Sequence, residues 1–155
     1  MTRPTVTLAE LLAEQAELIF PRFAEAEAWA LGCAIVALAT ANALPVVINI
    51  RTPDRTLFHA AMSGSAPLND LWARRKSNTA LMFQEPSMLV TTRLRDKGDG
   101  LAKHGLTETD YAASGGAVPI VVAGVGVVAV ATVSGLPELH DHQLVVQAIR
   151  AMLAR

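Results

Sequence analysis

The sequence predicts an α+β fold: an antiparallel sheet of two hairpins, about four to five strands in all, flanked by helices. Three observations carry this reading. The stretch Tyr111–His142 is uncharged from Ser114 to Pro137, rich in Val, and broken by Ala123-Gly124 into two short apolar runs. Valine's branched side chain suits a pleated sheet, so the stretch reads as two buried strands between a Gly-Gly loop and a Ser-Gly-Leu-Pro loop. A second pair of strand-like runs, Pro45–Ile50 and Thr56–Met62, encloses the turn Thr52-Pro53-Asp54-Arg55. The segments outside these pairs carry helical spacing. Hairpins impose antiparallel pairing, which argues against a doubly wound parallel sheet.

The elements follow in order. Thr7-Leu8-Ala9-Glu10 fits a capping box. Leu8, Leu11, Leu12, Leu18 and Ile19 continue it at helical spacing, and Pro21 ends or kinks that helix. A second helix is expected from Ala24 to Asn42, with Glu25 and Glu27 in its first turn and an apolar circumference past Trp29. After the first hairpin and the loop Ser63–Pro67, a third helix runs from Leu68 to Phe83. Pro86 opens a fourth, to Asp96. Lys97-Gly98-Asp99-Gly100 is a turn, and Thr107–Asp110 offers a weaker capping box before Tyr111. The second hairpin spans Ala117–Ser134, and a last helix spans Pro137–Leu153.

The 155 residues predict one domain over 1–155. A domain of that size buries about 68–70% of its unfolded surface without staples. Cys33 is the only cysteine, so no intrachain disulfide forms, and its apolar setting predicts a buried, inert thiol. A net charge of −1 gives no electrostatic footprint for nucleic acid. Arg74-Arg75-Lys76, beside Trp72, reads as a solvated helix face or a local anion contact. Apolar residues make up 52% of the chain and the mean hydropathy is +0.35, high for 16.4 kDa. Membrane insertion and a subunit interface compete to explain this. Asn42 and Pro45 interrupt the one apolar stretch long enough to span, and no signal-peptide pattern opens the chain. The expectation is therefore a cytoplasmic homo-oligomer, a dimer or higher, with Ile35, Leu38 and their neighbours near the subunit contact.

Several segments together resemble one family. They are Leu44–Ile50, Leu57–Ala61, Trp72–Lys76, Tyr111–Ile120, Val133–Pro137 and Asp141-His142. The set resembles the HbpS-like haem-degrading-domain family, also called GlcG-like. Within it, the match is to a branch of small stand-alone proteins of uncharacterised function, and it extends over about Leu8–Leu153. The resemblance implies a profilin-like or PAS-like α-β-α sandwich, oligomers, and in some relatives haem binding. The chain departs from the branch pattern at Leu68-Asn69, where Asp-Asn is usual. It departs again in the apolar run Ala34–Leu44 and at Gln84–Ser87.

The candidate ligand-binding residues are His59, Trp72, Lys76, Tyr111, Gly115, Gly116, Ser134, Gly135, Asp141 and His142. His59 is either a packing residue or a pocket-lining imidazole, a candidate axial haem ligand. Trp72 is either core or a cleft wall shared with Lys76 and Tyr111. Gly115-Gly116 either admits a ligand to the backbone or forms a bulge. Asp141 and His142 open the last helix, and the i, i+2 spacing of His140 and His142 does not suit one metal ion. Gly124-Val125-Gly126 matches part of a dinucleotide fingerprint, but a strand rather than a helix follows, so it reads as a hairpin turn. No acid, base and nucleophile converge by spacing, so no reaction is assigned. Two functions are carried forward. One is a small-molecule-binding domain with haem as a candidate cofactor. The other is an interaction scaffold with a vestigial pocket and no enzymatic activity.

Overall fold

The computed structural model describes residues 5–155. The elements are α1 (Leu8–Glu17), β1 (Ile19–Phe20), α2 (Glu25–Ala41), β2 (Val47–Arg51), β3 (Thr56–Ala61), α3 (Pro67–Phe83), α4 (Ser87–Lys97), β4 (Ala117–Val122), β5 (Gly126–Ser134) and α5 (Glu138–Leu153). Five strands form one sheet in the order β1-β4-β5-β2-β3. Both expected hairpins are present. β2 pairs antiparallel with β3 and β4 with β5, and β2–β5 pairing joins them at the centre.

The α-β-α sandwich follows from alternation along the strands. Val46, Ile48, Ile50, Val118, Ile120 and Val133 lie in one core with Leu31 and Ile35 of α2 and Val145 and Ile149 of α5. The opposite sheet face meets α3, where Ala80 packs on Ala117 and Val130. There the Ser77 and Thr132 hydroxyls share a hydrogen bond of 2.7 Å. Gly124 and Gly126 both take positive φ in the β4–β5 turn, as a hairpin turn requires.

The structure corrects several readings. The first helix stops at Glu17, and Ile19–Phe20 becomes a strand parallel to β4. The backbone groups of this short segment find partners across the chain, Ala123 N–H donating to Phe20 O at 2.9 Å. No helix follows Thr107–Asp110; the short helical turn lies earlier, at Leu101–His104, and Tyr111–Gly116 is irregular. Pro86 and Pro137 are N-caps rather than first helical residues. Cys33 is exposed, because α2 buries only the face of Ala28, Leu31, Gly32, Ile35 and Ala39. Its apolar circumference is therefore open to solvent on the outer side. Ile35 belongs to the chain's own core and cannot reach a subunit contact, whereas Leu38 is half-buried.

Candidate functional site

The end of β5, the Gly115-Gly116 loop, α3 and the start of α5 meet at Lys76. Its side chain is 2% exposed. The ammonium donates to Gly115 O at 3.0 Å, to Val133 O at 2.7 Å and to Asp141 Oδ2 at 2.9 Å. Asp141 is buried as well and accepts from the backbone N–H of Leu136 at 2.9 Å and Gly135 at 3.4 Å. Burial pushes the Lys76 amine below the ordinary lysine range and the Asp141 carboxyl above the ordinary aspartate range, while their mutual attraction opposes both shifts.

Glycine is needed at two points of this knot. A Cβ on Gly116, at φ +134°, would stand 2.5 Å from Lys76 Nζ and from Val133 O. One on Gly135, at φ +147°, would stand 2.5 Å from Pro45 O. Ser134 is buried at the end of β5, paired in register with Val47. The structure thus brings Lys76, Gly115, Gly116, Gly135 and Asp141 together. It commits all three Lys76 donors within the chain.

The other candidates stand apart. His59 is exposed on β3, where Nε2 lies 3.0 Å from Asp70 and Nδ1 3.1 Å from Asn49 Nδ2. Trp72 is 37% exposed, with the Arg75 guanidinium 4.5 Å above its ring; it is not core. Tyr111 packs on the small cluster of Val90, Leu94 and Leu101. His142 is 1% exposed, with Nε2 2.5 Å from Glu14 Oε1 on α1. Its Nδ1 has no partner among the described residues. The basic cluster also divides: Arg74 is exposed and pairs with Asp110 at 2.7 Å, while Lys76 is internal.

Beside the knot lies an open groove of about 640 Å³. Its walls are one face of α4 (Met88, Thr92, Arg95, Asp96), the first turn of α5 (Pro137–His140) and Thr5-Val6. It touches the glycine loop through Glu138, which accepts from Gly115 N–H at 3.3 Å. Arg95 pairs with Glu138 across the groove. His140 is the one histidine lining it. The volume falls within the range of small-molecule sites, about 300–1,000 Å³. Sequence reading missed this lining. The spacing of Met88, Thr92, Arg95 and Asp96 marks one helix face, but nothing local shows that this face meets α5.

Fold and groove together define a helix-flanked sheet protein with a ligand-sized cleft between two helices. The chain belongs to the HbpS-like family: it matches the family described as "Haem degrading protein HbpS-like" over residues 23–150. It is 46% identical over 154 residues to a UPF0303 protein of Streptomyces coelicolor, with 98% of each chain covered. The crystal structure of the Ybr137w protein superposes with a TM-score of 0.89 at 30% identity, covering 97% of this chain and 90% of that one. The structure of a PduOC–haem complex has the same fold, with a TM-score of 0.70 at 20% identity, covering 83% and 94%. Among the described residues, no helix is long and apolar enough to cross a membrane.

Proposed function

We propose that this chain is a cytoplasmic small-molecule-binding protein that works as a homo-oligomer. Its ligand site is the groove between α4 and the start of α5, and haem is the candidate cofactor. The observation that carries the reading is the groove itself, ligand-sized and set against the Gly115 loop. Its residues fit haem in kind. Val6, Met88, Pro137 and Leu139 give apolar walls, Arg95 a cation for a propionate once it exchanges Glu138 for it, and His140 an imidazole for iron. His140 is exposed, and its side chain has no hydrogen-bond partner among the described residues. Bound haem would supply a redox-active iron. The chain's part is to hold and orient it. A PduOC protein of the same fold has been seen with haem, which agrees with this choice. No step of chemistry is assigned to Lys76, whose protons are committed.

Haemin titration tests the proposal. The wild type should give a saturable Soret shift that His140→Ala abolishes and that His59→Ala leaves intact. A wild type without a saturable shift, or a shift indifferent to His140→Ala, would overturn the haem assignment.

A second reading, an interaction scaffold with a vestigial pocket, draws on Leu68, Leu71 and Trp72. All three are exposed at i, i+3, i+4 spacing on α3, away from the groove lining. Partner capture that survives His140→Ala but is lost in Leu71→Glu would favour this reading.

A further inference from the structure

The groove is lined by one guanidinium, Arg95, and two carboxylates, Asp96 and Glu138. Arg95 lies in the last turn of α4 and Glu138 stands first in α5. Their contact joins the two walls through one nitrogen and one oxygen, Arg95 Nη1 donating to Glu138 Oε1. The other carboxylate oxygen, Oε2, accepts from Gly115 N–H at 3.3 Å. Both oxygens of Glu138 are therefore engaged, whereas Arg95 donates through Nη1 alone among the described residues. The spare hydrogen-bonding capacity at this contact is donor capacity, which suits an acid.

A neighbouring pair shows the stronger form of the same contact. Arg93 meets Glu85 through two contacts, Nη1 to Oε1 at 2.8 Å and Nη2 to Oε2 at 2.5 Å. Such two-pronged pairing is the strong geometry for arginine and carboxylate. Arg95 has the weaker one, and its side chain is 60% exposed, where an ion pair contributes little. A carboxylate that enters the groove can replace this single contact with a two-pronged one. Glu138 is not stranded by the exchange, because it keeps the Gly115 N–H.

We propose that Glu138 is a specificity-determining residue of the groove, a built-in carboxylate that holds Arg95 until the carboxylate of an apolar ligand takes its place. The inference rests on the groove being the ligand site and names the class of ligand, an apolar body with an acidic end. Met88, Pro137 and Leu139 receive the body and Arg95 the acid. Asp96 sharpens the selection. With Glu138 in place, carboxylates outnumber the guanidinium in the lining, so an acid is repelled unless it reaches Arg95 directly. A neutral molecule of the same shape displaces nothing and leaves the bridge closed. The exchange also reaches the glycine loop. Released from Arg95, Glu138 settles on Gly115 N–H, and Gly115 O in turn accepts from buried Lys76 at 3.0 Å.

Titration of the isotope-labelled chain with three probes of one shape tests this: naphthoate, naphthamide and naphthylmethylamine. Naphthoate should bind at least about twofold tighter than either of the others, as a single exposed contact becomes two-pronged. It should also move the Gly115 amide proton downfield as the bond to Glu138 shortens, whereas naphthamide, with the same ring, should not. Glu138→Gln should tighten naphthoate about two- to fivefold and leave naphthamide unchanged. Arg95→Gln should erase the preference for the acid. A preference for the neutral or cationic probe, or a naphthoate affinity indifferent to both variants, would overturn the proposal and leave a haemin response standing on its own. The expected pattern in a chain without a Soret shift would keep the acid specificity and remove haem as the ligand. No binding of any probe would overturn the proposal too, and with a flat haemin titration it would also remove the groove as a ligand site.

Discussion

At the scale of the residue, the buried pair Lys76–Asp141 matters most, because it joins α3, the Gly115-Gly116 loop, β5 and α5 at one point. Removing one member of such a pair costs about 3–5 kcal/mol, since the other charge stays buried without a partner. Lys76→Met is therefore expected to lose about that much at neutral pH, measured by urea unfolding. The loss depends on pH, with a definite sign. Burial already raises Asp141, and Lys76 is the main influence holding it down. Without Lys76 the native carboxyl rises further and holds a proton that the unfolded chain has released. Stability of the variant then falls as pH rises above the ordinary aspartate value, and the deficit shrinks toward pH 4. A deficit that does not change with pH would contradict this account. The sequence named both residues but could not join them: they are 65 positions apart, and a lysine in Arg-Arg-Lys looks solvated until the fold turns it inward.

Among the elements, the packing of α2 on β3 depends on one glycine. Ala at position 32 would gain about 1 kcal/mol in helix propensity. Its Cβ, however, would stand 2.4 Å from the Phe58 ring, closer than real contacts allow. Overpacking of that kind costs about 1–3 kcal/mol and wins here because the ring is held by Trp29. Gly32→Ala should lower the melting temperature. Combined with Phe58→Val, it should cost less than the sum of the single changes, with a coupling of at least about 1 kcal/mol. Additive effects would show that α2 and β3 do not meet as described. The two hairpins and all five long helices were legible in the sequence, since β-branched runs, turn residues and helical spacing are local signals. β1 was not. It has two residues, and its pairing with β4 lies a hundred positions along the chain. Which side of α2 the chain itself covers was not legible for a related reason: small apolar residues mark a helix that packs closely, not which of its sides is covered.

For the whole molecule, the N-terminal arm is set apart, since the family match begins at residue 23, after α1 and β1. Besides the Arg150 pairs to Glu17 and Glu14, four attachments hold the arm among the described residues. Leu11 packs with Met88 and Leu89, and Leu18 and Phe20 enter the main core. β1 pairs with β4, and Glu14 reaches the buried His142. The last is the most exposed to test, because His142 has no other ring partner among the described residues. Glu14→Ala leaves both ring nitrogens unpaired within the chain, at a cost of about 1–3 kcal/mol. That cost falls on the docked arm rather than on the central strands. Amides of α1 should then exchange roughly tenfold faster for each 1.4 kcal/mol lost, while those of β2 and β5 keep their wild-type rates. The arm also supplies Thr5 and Val6 to the groove wall, so the same variant should weaken haemin binding without abolishing it. Uniform acceleration across the sheet would mean instead that the arm and the family core open as one unit.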